Sequence, residues 1–172
     1  VDSTAREVLE DTNRKILTMA LVHQQLYESH DLSRVELSDY LSKLGELLSQ
    51  ALSSESTSIE IEIDCCEYYL SVDVAIPLGQ ILNELISNSA KHAFTERSAG
   101  RISIAVREAT SDELQLIYRD DGVGMPAGFD IHRDGNLGSE IIRRLAEDQL
   151  NGSLELLDQP GTTIRLVIPV TA

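Results

Sequence analysis

The chain has 172 residues, 42% of them hydrophobic, enough for one domain with a buried core and at most a small appendage. Its formal net charge is −15 and it holds no long basic run, which argues against nucleic acid and anionic membrane surfaces as partners. No apolar stretch approaches the roughly 20 residues of a membrane span, and no secretory signal opens the chain, so a cytoplasmic location is expected. The first residue is Val1 rather than Met, which reads as a fragment or a processed chain.

Residues 1–29 read as one helix. Leu9, Ile16, Met19, His23, Leu26 and His30 recur with a heptad-like spacing, the seam of a coiled coil or helical hairpin. "HDLSR" breaks this pattern, and a second helix follows with Leu37, Tyr40, Leu41, Leu44, Leu47, Leu48 and Leu52 on one face. The serine-rich "SSESTS" is a loop. "IEIEID" alternates strictly and predicts a half-buried strand that carries on to Cys65 and Cys66, whose side chains should point to opposite faces. Two cysteines exclude a disulfide framework, and a zinc site would need two further ligands. Asp73 is expected to cap a long helix, with Pro77 near its first turn. "RISIAVRE" and "ELQLIYRD", joined by "ATSD", predict a hairpin. "DDGVGMPAGFDIHRDGN" reads as loop, and "LGSEIIRRLAEDQL" as an amphipathic helix ended by Asn151-Gly152. "SLELLD" and "TTIRLVIPV" are strands around a Gln159-Pro160-Gly161 turn. This order predicts an α+β fold: a two-layer α/β sandwich, its mixed and mostly antiparallel sheet covered by helices on one face, preceded by the coiled-coil-like helix.

The stretch "NELISNSAKHAF", residues 83–94, raises the chemical question. Asparagine in a helix costs about 0.5 kcal/mol or more against alanine, yet Asn83 and Asn88 both lie in one. Leu82, Leu85, Ile86, Ser89 and Ala93 make an apolar side; Glu84, Asn88 and Lys91 or His92 make a polar stripe. A solvated face is one reading of that stripe. The other is a ligand-facing stripe, in which an asparagine carbonyl suits Mg²⁺, a carboxylate orients or deprotonates a nucleophile, and a lysine neutralises phosphate. "DDGVG", residues 120–124, follows directly on a strand, with Asp120 as an acceptor for an amino group and glycines that let a ligand approach the backbone. Gly135 and Gly138 stand before a helix, whose free amides attract phosphate. Gly161-Thr162 opens the last strand. Each piece alone is an ordinary turn or junction.

Together and in this order, over residues 36 to 169, the pieces resemble the GHKL ATPases: gyrase, Hsp90, histidine kinases and MutL-type proteins. The resemblance implies ATP and Mg²⁺ as cofactors. It implies that Asn88 binds the magnesium and that Glu84 is the acidic position one turn earlier, the water-activating base in some members. It implies phosphate contacts from Lys91 and His92, adenine recognition by Asp120, Gly122 and Gly124 packed against the base, Gly138 in the second glycine box, and Thr162 near the adenine. Asn83 lines the pocket edge or caps a local hydrogen bond.

"RKILTMALVHQQLYESHDLSRVELSDYL" followed by "AIPLGQILNELISNSAKHAF" is similar to sensor histidine kinases, most of all the subgroup with a short nucleotide lid. The related subgroup marked by a Trp-x-Glu signature does not fit a chain without tryptophan. On this resemblance residues 1–33 are the second helix of a dimerisation and phosphotransfer hairpin, and residues 34–172 are the ATP-binding catalytic domain. The implied reaction moves the γ-phosphoryl group of ATP to a histidine and then to the receiver domain of a response regulator. The His-Arg-x-Lys-Asn motif that carries the family's acceptor is not in the sequence, so the acceptor hairpin is expected in cis or trans outside it, with a homodimer in the full-length protein. His23 and His30 read as seam packing rather than as acceptors, and a His23–Tyr27–His30 metal site lacks a third good ligand. Ser139 departs from the leucine usual after Gly138, and Arg133 in the lid reads as solvated. The alternatives are an anti-sigma-type serine kinase, against which the seam helix argues, and a degenerate nucleotide-binding or dimerisation module, against which Asn88 and Asp120 argue.

Overall fold

The computed structural model describes residues 34–52, 58–95, 97–126, 128–134 and 137–170, and ahead of them residues 9, 12, 13, 16, 17, 19–21 and 24, which are helical. Of the seam, Leu9, Ile16 and Met19 are exposed, while Leu21 beside them packs in part against the core. His23, Tyr27, Leu26 and His30 lie outside the described residues.

A short strand β1 (Arg34–Glu36) leads into helix α1 (Leu37–Leu52). Glu36 caps that helix with its carboxylate, which accepts the backbone N–H of Ser38 at 3.1 Å and of Asp39 at 2.6 Å. Leu37, Tyr40, Leu41, Leu44 and Leu48 of α1 are buried, as the leucine spacing predicts. Strand β2 (Ser58–Cys65) follows, then β3 (Tyr69–Ser71), which pairs antiparallel with β1 in a small separate sheet. The sequence reading has neither β1 nor β3, because three residues are too few to show a period. Cys65 and Cys66 are both free and half-buried, and burial pushes the Cys65 thiol up to about 12.

Helix α2 (Val72–Asn88) starts directly from β3. Its cap position is Ser71, whose extended backbone ends the strand, and not Asp73. Asp73 lies within the first turn, where its charge still complements the amide end of the helix. Pro77 is deeper than its expected place near the first turn and removes one backbone donor from the helix interior. From Leu78 to Ser87 the helix is buried almost all round, with only Gln80 half-exposed. It runs without a break into a π-helical turn, Ser89–Ala93.

The main sheet has the order β2-β4-β5-β7-β6, with β4 (Ala99–Thr110), β5 (Glu113–Asp120), β6 (Ser153–Leu157) and β7 (Thr163–Pro169). β2 and β4 are parallel and every other pair is antiparallel. Both expected hairpins are present. Alternation sorts the faces: Ile102, Ile104, Val106, Leu116, Ile164 and Leu166 are buried under the helices, while Arg101, Arg119 and Glu62 face outward. The fold is thus the expected α+β sandwich with a mixed sheet. Helix α3 (Leu137–Arg143) and a π-helical continuation, Arg144–Gln149, complete the helical layer. Asn151 ends it with a positive φ of 51°, as the Asn-Gly ending predicts. Among the described residues, no helix is long and apolar enough to cross a membrane.

Candidate functional site

β5 delivers Asp120 to the end of the sheet, between α2 and the turn that opens β7. The backbones of β5 and β7 stay paired there, with Asp120 N–H donating to Thr162 O at 2.9 Å. Asp120 is 1% exposed, and its Oδ1 accepts the backbone N–H of Gly122 and of Thr162, both at 3.0 Å. Its Oδ2 accepts the Ser89 hydroxyl at 2.6 Å. A buried carboxylate without such donors would be strongly destabilising.

Two glycines make this geometry possible. Gly161 has φ of 75°, and a Cβ there would come within 2.0 Å of the Asp120 carbonyl oxygen. At Gly122 a Cβ would come within 2.4 Å of the Ala93 Cβ, so the loop after β5 lies flat on the π-helical turn. Val123 N–H donates to Ala93 O at 3.1 Å and holds it there. Outside the pocket, Asp121 ties the same loop to β4: its carboxylate accepts the Arg101 N–H at 2.9 Å and Arg97 Nη2 at 3.1 Å. These donors hold the Asp121 carboxyl below the usual carboxylate range.

A cavity of about 200 Å³ opens beside Asp120. Pockets that enclose a drug-sized ligand run about 300–1,000 Å³, so this cavity has room for a ring system but not for a whole nucleotide. Its apolar walls come from Leu85, Ile142, Ile164, Met125, Phe129 and Ile131. Phe129 and Ile131 belong to the lid, residues 125–137, among whose described residues Met125, Phe129, Ile131 and Asp134 line the site. The Asp130 carbonyl accepts the N–H of Arg133 and of Asp134, and Asp130 Oδ1 accepts the His132 N–H at 2.9 Å. Arg133 is exposed and pairs with Asp130 at 3.0 Å, in keeping with a solvated lid residue.

Asn88, His92, Asp120, Gly124, Thr162 and Ser139 all border this one cavity, though they come from four separate parts of the chain. Lys91 is exposed on the π-helical turn beside His92. Glu84, one turn before Asn88, is only 7% exposed and is not part of the cavity wall. Gly122 and Gly138 are half-buried and not part of the wall either; Gly138 lies inside α3 rather than ahead of it. Gly135 is outside the described residues. Asn83 neither edges the pocket nor caps a bond: it is fully buried, and neither amide atom has a hydrogen-bond partner among the described residues. Ser89 and Tyr118 are polar wall residues to which the motifs give no role, and Met125, Phe129, Ile131, Ile142 and Ile164 are apolar ones. A period of two places Tyr118 on the same face of β5 as Asp120, which is the signal that could have found it.

The donor set suits a magnesium ion bound mainly through a ligand. Among the described residues no cluster of three histidine, cysteine or carboxylate side chains can hold a metal. Asn88 offers a single hard oxygen at the cavity rim, as expected where phosphates and water supply the rest.

A sandwich of this topology, with a buried aspartate facing a cavity and an asparagine beside it, is an arrangement suited to a nucleotide. Residues 73–172 match the family model "Histidine kinase-, DNA gyrase B-, and HSP90-like ATPase", and the chain belongs to that family. Residues 1–52 match a second model, described as "Histidine kinase". The sensor histidine kinase PdtaS of Mycobacterium tuberculosis is 31% identical over 172 residues, 98% of this chain and 34% of that protein. Blue-light-activated histidine kinase 2 of Erythrobacter litoralis is 25% identical over 157 residues, 86% of this chain and 44% of that protein. The chain therefore spans only about a third to under a half of these relatives. The solved histidine kinase domain of the blue-light-activated kinase EL346 from Erythrobacter litoralis superposes with a TM-score of 0.79 at 23% identity, covering 93% of this chain and 75% of that one. The chain thus carries an ATPase domain of this family, and the relatives it resembles are sensor histidine kinases.

Proposed function

We propose that this chain binds ATP with Mg²⁺ and transfers the γ-phosphoryl group to a histidine outside residues 1–172, for relay to the receiver domain of a response regulator. The observation that supports it most is the Asp120 carboxylate, buried, held by two backbone amides and turned to a cavity of base size. In this reading Asp120 accepts the exocyclic amino group of adenine, Gly122 lets the loop pack on Ala93 so that Gly124 can lie against the base, and Thr162 closes the far side. The phosphates leave the cavity past Asn88, where Lys91 and His92 offset their charge, and Gly138 brings the amide end of α3 near them. Asn88 holds the magnesium, which when bound draws charge from the β- and γ-phosphates. Glu84, buried one turn before Asn88 and off the cavity wall, is the nearest acidic group on this helix to orient the incoming imidazole or take its proton; that imidazole is neutral near pH 7.

We place the domain boundary at residue 33/34, with residues 1–33 as the second helix of the dimerisation hairpin, the molecule in the cytoplasm, and a homodimer in the full-length protein. The second family match, over residues 1–52, disfavours the serine-kinase alternative. The reading is tested by calorimetric titration of ADP and an ATP analogue, with and without Mg²⁺, into the wild-type chain, Asp120→Asn and Asn88→Ala. Binding is expected in the wild type, lost in Asp120→Asn, and deprived of its magnesium enhancement in Asn88→Ala. A folded wild type that binds neither nucleotide means a degenerate module.

A further inference from the structure

The Asp120 carboxylate is held by more than the loop around it, and its two oxygens have different neighbours. Oδ1 takes the N–H groups of Gly122 and Thr162, and Oδ2 takes the Ser89 hydroxyl. Ser89 Oγ lies 2.7 Å from the Tyr118 hydroxyl, which is itself 3.2 Å from the Leu85 carbonyl oxygen.

The direction of this chain follows from counting hydrogens. A serine hydroxyl has one, and two oxygens 2.6 Å apart require a hydrogen between them. The Ser89 hydrogen is therefore committed to Asp120. Tyr118 must then be the donor to Ser89, and the longer contact to Leu85 takes the smaller share of its hydrogen. Burial, more than any other influence, pushes the Tyr118 hydroxyl above the ordinary tyrosine range, so it keeps its proton and remains a donor. The hydrogens run one way, from Tyr118 to Ser89 to Asp120.

Counting lone pairs then says what the ligand can offer. A carboxylate has about four acceptor sites. Two on Oδ1 and one on Oδ2 are filled, so one remains, on the oxygen that Ser89 holds at the cavity wall. We propose that Ser89, backed by Tyr118, is the specificity-determining positioning residue of this pocket: it turns the Asp120 carboxylate so that its last acceptor admits a purine with an amino group at C6 and rejects one with an oxygen there. Without the Ser89 hydroxyl a second acceptor site opens on Oδ2 and takes a water. That water can turn its other hydrogen toward an oxygen on the base, so discrimination is lost. This inference rests on the nucleotide reading above.

The test measures ATP and inosine triphosphate affinities, with Mg²⁺, for the full 172-residue chain as wild type, Ser89→Ala, Ser89→Thr, Tyr118→Phe and Ser89→Ala/Tyr118→Phe, with a thermal melt of each. Loss of one charge-assisted hydrogen bond should weaken ATP binding by roughly tenfold in Ser89→Ala and shrink the preference for ATP over inosine triphosphate by about the same factor. Ser89→Thr keeps the hydroxyl and should restore the preference. Tyr118→Phe should lower the preference alone but add nothing once Ser89 is alanine, because it acts only through Ser89. A merely structural serine would lower the melting temperature and weaken both nucleotides equally. The inference is overturned if the wild type binds ATP through Asp120 and Ser89→Ala keeps the wild-type preference, or if the two substitutions add. If the wild type binds no ATP, the nucleotide reading falls and takes this inference with it.

Discussion

Asp120 and Asp121 are neighbours with opposite surroundings. Strand alternation turns Asp120 into the core, beside Ser89 and Tyr118, and leaves Asp121 on the rim, tied to Arg101 and Arg97. Because those donors lower the Asp121 carboxyl in the fold, the sign of its pH effect is set. A carboxyl whose folded value lies below its unfolded value of about 3.9 stabilises fully above that pH and loses its contribution as pH falls through the folded value. Asp121→Asn should therefore flatten the acid limb of the melting temperature measured between about pH 2.5 and 6. Acid limbs that stay parallel in wild type and variant would show that this carboxylate does not tie down the loop. Much of the candidate site was legible at this scale. Asp120, Gly122 and Gly124 sit together in "DDGVG" after an alternating strand, and Asn88 sits in a helix that has no propensity reason to contain it. Ser89 was not legible, because a small residue beside Leu85 and Ile86 reads as filler. Its partners Tyr118 and Asp120 are 29 and 31 residues away, and only the packing of α2 on β5 reveals them.

The loop after β5 crosses the π-helical turn that extends α2 at close range. No side chain fits at Gly122, since a Cβ would lie 2.4 Å from one atom of Ala93 and 2.6 Å from its carbonyl oxygen. Gly122→Ala should push the loop off the turn and break the bond from Val123 N–H to Ala93 O. The expected loss is about 1–3 kcal/mol of stability in a denaturant titration, as for other overpacked sites, together with weaker ATP binding. Wild-type stability in that variant would mean that the loop has room to move, and that its position does not depend on this contact. Element types followed from period alone, since helices, hairpins and the half-buried β2 all carry long patterns. Three features lie beyond such patterns. β1 and β3 are too short, the end of α2 is set by β3 rather than by an aspartate, and the burial of Glu84 and Asn83 depends on neighbours brought from elsewhere in the chain.

At the scale of the molecule, a net charge of −15 and the exposed apolar residues Leu9, Ile16 and Met19 pull association in opposite directions. Leu9, Ile16 and Met19 are 67%, 58% and 40% exposed on a helix whose heptad-like spacing asks for a partner. If a second copy covers this stripe, Ile16 is buried twice in the symmetric pair. Each burial of a side chain of this size is worth about 1.5–3 kcal/mol. Ile16→Glu should then weaken the dimer by roughly a hundredfold or more by sedimentation equilibrium. ATP affinity should not change, because Ile16 is not part of the cavity wall. The charge adds a second signature. Two copies that each carry −15 repel one another, and added salt screens that repulsion over about 10 Å at 0.1 M. Dimerisation through an apolar seam should therefore tighten as salt rises from about 0.01 to 0.15 M, whereas association held by ion pairs would loosen over the same range. A wild-type chain that stays monomeric at every salt concentration would rule out a second copy of residues 1–172 as the partner of this seam.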